Sequence, residues 1–150
     1  MRVVIFANGE LPAPAAAVAR RVRAEDLVIA ADGGAVHALA AGLAPAHIIG
    51  DMDSLPERRQ TELADRGVAF HRSPVEKDET DLELALFWAA EQPEVREIVI
   101  LGAFGGRPDQ ELANLLLLAL PELRSREVLM VDGDWTVRLL HGGEDLVLEG

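Results

Sequence analysis

Aspartate is the residue type best placed to do chemistry in this chain. Asp51-Met52-Asp53-Ser54 follows the apolar run Ile48-Ile49-Gly50. In an extended segment residues two apart point the same way, so both carboxylates can address one ion. Hard oxygen donors of this kind suit magnesium, which takes one or two carboxylates with phosphate oxygens and water. The same spacing also suits a plain turn, with Ser54-Leu55-Pro56-Glu57 as a capping box for the next helix. Asp32 closes another apolar run, Leu27–Ala31, and is followed by Gly33-Gly34. Asp78 and Asp81 sit just before a helical pattern that starts near Leu82, and Asp109 just before one that starts at Glu111.

Two further segments have chemical content. Glu76-Lys77-Asp78-Glu79-Thr80-Asp81 holds the chain's one lysine inside an acidic cluster. Thr80-x-x-Glu83 forms a second capping box, and Asp81 suits the helix macrodipole, so both residues also have a structural role open to them. Phe104-Gly105-Gly106-Arg107-Pro108-Asp109-Gln110 joins an apolar run to a helix start. Glycines let backbone N–H groups approach a phosphate, and Arg107 can fork two of its oxygens. A tight turn with Asp109 as N-cap fits the same residues. His37, His47, His71 and His141 have no partner at zinc-ligand spacing, and no Gly-x-Ser-x-Gly elbow is present.

Charge narrows the partners. Fourteen basic residues against 26 acidic ones leave −12 at pH 7, which excludes non-specific binding to a nucleic-acid backbone. A polyanion such as a nucleotide would need a metal to offset that repulsion. With no cysteine, disulfides and thiolate chemistry are excluded. No run reaches the ~18 apolar residues of a membrane span, and the N-terminal run is too short for a secretory signal, so the expected location is cytoplasmic. A chain of 150 residues, 49% of them apolar, is enough for one full core.

The elements that must position the aspartates follow from short apolar runs. Val3–Ala7, Leu27–Ala31, Ala46–Ile49, Gly67–Phe70, Ile98–Ala103 and Val128–Val131 read as strands, most of them ended by glycine. Helical spacing lies between them, over Pro14–Val22, Ala35–Ala41, Pro56–Arg66, Leu82–Glu91 and Glu111–Leu118. This alternation predicts an α/β fold: an open, mainly parallel sheet with helices on both faces, a Rossmann-like three-layer arrangement. In such sheets the ligand lies beyond the carboxyl ends of the strands, where the aspartates are. The final stretch differs, with two short strands, Thr136–Leu140 and Asp145–Leu148, expected around Gly142-Gly143.

In this order the segments resemble the thiamine pyrophosphokinase family. The residues that carry the resemblance are Asn8-Gly9, Ala31-Asp32-Gly33-Gly34-Ala35, Ile49-Gly50-Asp51-Met52-Asp53-Ser54, Glu76–Asp81, Gly105-Gly106-Arg107-Pro108-Asp109-Gln110 and Asn114. The match runs from about residue 3 to about residue 132, and the ordered set is more specific than any single motif.

The resemblance implies a magnesium-dependent enzyme, generally a homodimer, that moves a diphosphate from ATP to the hydroxyl of thiamine. It places the metal on Asp32, Asp51, Asp53 and Asp78. The catalytic residues it implies are Asp51, Asp53, Asp81, Arg107 and Asp109. Asn8, Gly33, Gly34, Lys77, Thr80, Gly105, Gly106, Arg107 and Gln110 are expected to bind the nucleotide. The division expected is an ATP-binding α/β domain over 1–133, with 134–150 opening a β-rich C-terminal domain that the chain does not complete. Two other readings fit the same residues: diphosphoryl transfer to another alcohol such as a pterin, and an inactive nucleotide-binding fragment.

Overall fold

Aliphatic runs too short for helices become the strands of one sheet: β1 (Arg2–Phe6), β2 (Leu27–Ala31), β3 (His47–Gly50), β4 (Ala69–Arg72), β5 (Glu97–Leu101), β6 (Glu127–Asp132) and β7 (Trp135–Val137). The structure is a computed structural model that describes residues 1–76 and 78–147. Strand order is β4-β3-β2-β1-β5-β6-β7. Every adjacent pair is parallel except β6 with β7. Five helices make the crossovers: α1 (Pro14–Arg21), α2 (Gly34–Ala40), α3 (Glu57–Asp65), α4 (Asp81–Glu91) and α5 (Pro108–Leu117).

Strand alternation divides the interior into two cores. Val3, Ile5, Ile29, Ile98, Ile100 and Met130 face α4, which contributes Leu82, Ala85, Leu86 and Ala89. Val4, Phe6, Ala30, Ile48, Val99 and Leu101 face the opposite way, onto Ala35 and Ala38 of α2 and Leu63 of α3. A fully buried aliphatic side chain of this size contributes about 1.5–3 kcal/mol. The central strands are covered on both faces, which is why they read as continuous apolar runs. The three-layer expectation therefore holds.

Three local expectations change. β4 begins and ends two residues later than Gly67–Phe70, because this edge strand carries polar His71 and Arg72 and shows no apolar run. Ser54 does not cap α3; Pro56 occupies the N-cap with no side-chain bond. At the C-terminal end, β7 turns straight back onto β6, pairing Asp132 with Trp135 across Gly133-Asp134. Gly133 supplies the positive φ (+56°) that a two-residue hairpin needs. The predicted hairpin around Gly142-Gly143 is absent: Asp145–Val147 form no strand, and Leu148 lies outside the described residues.

The connection from β1 leads toward β2, whereas β5 adds on the other side of β1. The crossovers from β1 and β5 thus leave in opposite directions, which makes the β1–β5 boundary the topological switch point of an open sheet. Among the described residues no helix is long and apolar enough to cross a membrane.

Candidate active-site cleft

Asp32, Asp51 and Asp53 converge at the carboxyl ends of β2 and β3. One carboxylate oxygen from each lies within 4.8 Å of the other two. The convergence does not come from strand alternation. Met52 stands between the two loop aspartates at φ +68°, a left-handed conformation that costs a non-glycine residue about 1–3 kcal/mol. Its side chain is buried in the α2/α3 core and anchors the kink. Asp53 N donates to Asp51 Oδ1 at 3.1 Å. From below, Gln60 of α3 braces the loop by donating to the carbonyls of Met52 (3.2 Å) and Leu55 (2.7 Å).

Asp32 is the buried member, 1% exposed, and it too is left-handed (φ +40°). Ser54 N donates to its Oδ2 at 3.3 Å, while its Oδ1 has no hydrogen-bond partner. A buried carboxylate oxygen without a donor is costly, and a cation is the partner that removes the cost. The donor set is all carboxylate oxygen, which fits a hard divalent ion such as magnesium. Gly50 makes the approach possible: a Cβ there would lie 2.9 Å from Asp81 Cγ and 3.0 Å from Asp32 Cβ. Asp81 is thereby held beside the aspartate group, at the start of α4.

From this point a cleft of about 550 Å³ runs into the switch-point crevice. Asn8, Thr80, Asp81, Gly105, Gly106, Arg107 and Gln110 line it, as does Asn114. Thr80 caps α4 by accepting from Glu83 N (3.2 Å), as its capping box predicts, and its hydroxyl proton still has a lone-pair partner to seek. Gly9 N and Glu10 N donate to the carbonyls of Gly102 (2.7 Å) and Phe104 (2.7 Å), tying the two walls together. Gly33 and Gly34 lie under the Asn8 loop, where a Cβ on Gly34 would meet the Phe6 carbonyl oxygen at 2.0 Å. Only glycine lets α2 start that close to β1.

Other expected site residues stand elsewhere. Asp78 is exposed and is not part of the three-aspartate group. Lys77 lies outside the described residues. Asp109 does not cap α5, whose N-cap is Arg107; it pairs instead with Arg107, Oδ1 to Nε at 3.1 Å and Oδ2 to Nη2 at 2.5 Å. That hydrogen bond holds the Asp109 carboxyl below the usual carboxylate range and raises the Arg107 guanidinium further.

Three positioning contacts were not legible. His37 of α2 meets the Gly9 carbonyl with Nε2 at 2.7 Å, and Glu111 of α5 accepts from Gly105 N at 2.7 Å. Glu10 packs its stem against Gly105. No local pattern in the sequence pairs His37 with Gly9, or Gly105 with Glu10 or Glu111.

Comparison with known proteins adds to this geometry. Residues 18–130 match the family model described as thiamin pyrophosphokinase, catalytic domain. Thiamine pyrophosphokinase of Bacillus subtilis is 37% identical over 119 residues, covering 79% of this chain and 55% of that protein. The crystal structure of the Bacillus subtilis thiamine pyrophosphokinase superposes with a TM-score of 0.73 at 31% identity, over 88% of this chain and 61% of that one. The thiamin pyrophosphokinase of Geobacillus thermodenitrificans gives 0.71 at 32%, over 88% and 60%. The chain thus spans little more than half the length of the curated relative it matches.

Proposed function

The chain belongs to the thiamin pyrophosphokinase catalytic-domain family, and on that premise we propose that it transfers a diphosphate from ATP to the hydroxyl of thiamine, giving thiamine diphosphate and AMP. One observation carries the reading: Asp32, Asp51 and Asp53 lie within 4.8 Å of one another, and Asp81, which packs with Asp32 against Gly50, lines a cleft of about 550 Å³. Diphosphoryl transfer asks a protein chiefly to align its reactants and to neutralise the charge on phosphoryl oxygens.

In this proposal Asp32, Asp51 and Asp53 hold Mg²⁺, with the orphaned Asp32 oxygen as the innermost ligand and Asp78 further out. Bound there, the metal supplies charge neutralisation and polarisation of the phosphoryl group. Arg107 releases Asp109 to fork the phosphate oxygens, and the Gly105-Gly106 turn lets the chain run close beside them. Asn8, Gly33, Gly34, Thr80 and Gln110 line or shape the nucleotide side, and Lys77 belongs to that side as well. Asp81 takes the hydroxyl proton. It lines the cleft beside the aspartates, whereas Asp109 is a weaker base while Arg107 depresses its proton affinity.

Residues 1–133 form the ATP-binding unit in this reading, and 134–150 open a β-rich unit at the β6–β7 turn. A cytoplasmic homodimer belongs to the same proposal. Sedimentation at twice the 16.2 kDa chain mass tests the dimer. Incubation with ATP, Mg²⁺ and thiamine tests the reaction: AMP and thiamine diphosphate are expected in equal amounts, and ADP as the sole nucleotide product overturns the assignment.

A further inference from the structure

Two histidines, a residue type that can ligate transition metals, lie together apart from the aspartates, between the β3–β4 edge of the sheet and α4. The β3–β4 register pairs His47 with Ala69 and Ile49 with His71. His47 and His71 therefore project from neighbouring strands to the same side, the side that Ile49 shares with α4. His47 Nδ1 and His71 Nε2 stand 3.0 Å apart. Trp88 of α4 packs on both imidazoles, with ring centroids 4.4 Å from His47 and 5.7 Å from His71. Its ring restricts the rotamers of both.

Two imidazole nitrogens aimed at each other can share one hydrogen or one metal ion. Tetrahedral Zn–N bonds of about 2.0–2.1 Å set ligand nitrogens about 3.3 Å apart with the metal off the line between them, so the pair must open by about 0.3 Å and the rings must tilt until both lone pairs meet at the ion. His71 is exposed and can supply that movement. A groove of about 710 Å³ lined by His71, Phe87, Trp88 and Glu91 opens beside it, with room for water or a carboxylate to complete the coordination.

We propose that His47 and His71 form a binding site for a first-row transition ion of the zinc, nickel or copper class, separate from the aspartate site. The ion displaces the hydrogen shared by the two nitrogens and sits off the line between them. That hydrogen moves to the outer nitrogen of its own ring, so two neutral imidazoles bind the metal with no net proton change. Imidazole donors select such ions over magnesium, and carboxylate oxygens do the reverse, so the two sites take different metals. Burial and the neighbouring His71 lower the proton affinity of His47, which leaves its lone pair available at neutral pH. Occupancy ties edge strand β4 to β3, and a ligand bound only by the folded chain raises its stability.

Tryptophan emission reads the site directly. The chain has two tryptophans, Trp88 against the histidines and Trp135, 79% exposed, on the opposite edge strand. In a Trp135→Phe background, Cu²⁺ is expected to quench Trp88 saturably at one equivalent. Zn²⁺ is expected to reverse the quenching and raise the thermal midpoint, and Mg²⁺ to do neither. His71→Ala should shift the quenching midpoint upward by at least about tenfold, with circular dichroism unchanged. His47→Gln gives an independent second variant, and Asp53→Asn should leave the midpoint where it was. The proposal is overturned if both histidine variants quench at the parental midpoint, or if Asp53→Asn alone abolishes quenching.

Discussion

Arg107 and Asp109 face each other fork to fork, through two hydrogen bonds of 3.1 and 2.5 Å. Among the described residues lining the cleft, Arg107 is the only cation. The Nε–Nη2 edge is thus engaged by its own neighbour, and a phosphate that forks onto that edge has to displace a carboxylate. Exposed pairs of this kind are screened by solvent and yield readily to a stronger partner.

Asp109→Asn removes the competitor and keeps the shape. The Michaelis constant for ATP is expected to fall by up to about fivefold. Steady-state kinetics at varied ATP measures it. An unchanged or higher constant would show that Arg107 does not serve the nucleotide.

Asp51→Asn and Asp53→Asn should each weaken magnesium-dependent ATP binding by more than about tenfold, since even outer partners of a metal ligand act on that scale. Both variants should fold, because an Asn at position 51 still accepts the Asp53 N–H and position 53 is exposed. Calorimetric titration with ATP in Mg²⁺ decides the matter, and wild-type affinity in both variants would remove the metal from these residues.

Asp32→Asn separates stability from function. The wild-type side chain buries a charge with one unpartnered oxygen beside two further carboxylates, an arrangement that destabilises the metal-free chain. The neutral amide keeps an oxygen for Ser54 N and relieves that repulsion. Urea unfolding in EDTA should show the variant more stable by about 1 kcal/mol, while the stabilisation that Mg²⁺ gives the parent disappears.

Acid should weaken the fold through His47. An unfolded His47 titrates near 6.5, and burial with the facing His71 lowers that value in the folded chain. Trp88 covers the pair, and Glu91 of the same helix lines the groove beside them. Between the two values the unfolded chain takes up a proton that the folded chain refuses. The contribution is therefore complete above pH 6.5 and is lost as pH falls below it. Unfolding free energies measured from pH 7.5 to 5 should slope downward toward acid, and His47→Gln should reduce the slope.

How much was legible depended on whether the information was local. β1, β2, β5 and β6 stand out because both of their faces are buried along most of their length, so their central positions are all apolar. β4 is an edge strand with His71 and Arg72 toward its end, and the apolar pattern placed it two residues early. α4 was found from its capping box, since Thr80 and Glu83 are neighbours on the chain. Asp51 and Asp53 were expected to converge through an extended backbone. They converge through the left-handed Met52 instead, a conformation that the residue type does not advertise. Asp78 was grouped with them by the family resemblance, and the loop from β4 to α4 leaves it exposed. The contacts of His37 with Gly9 and of Glu111 with Gly105 depend on how whole elements pack, and short motifs carry no signal of that.

The place of β1 between β2 and β5 has a consequence for biosynthesis. Val4 pairs with Val28 on one side and with Val99 on the other. A ribosome must therefore deliver some hundred residues before the second wall of the crevice exists. Until then β1 presents a bare hydrogen-bonding margin, the situation in which nascent chains most often mispair. The cleft is in this sense a late product of the polypeptide, assembled when its first and fifth strands finally meet.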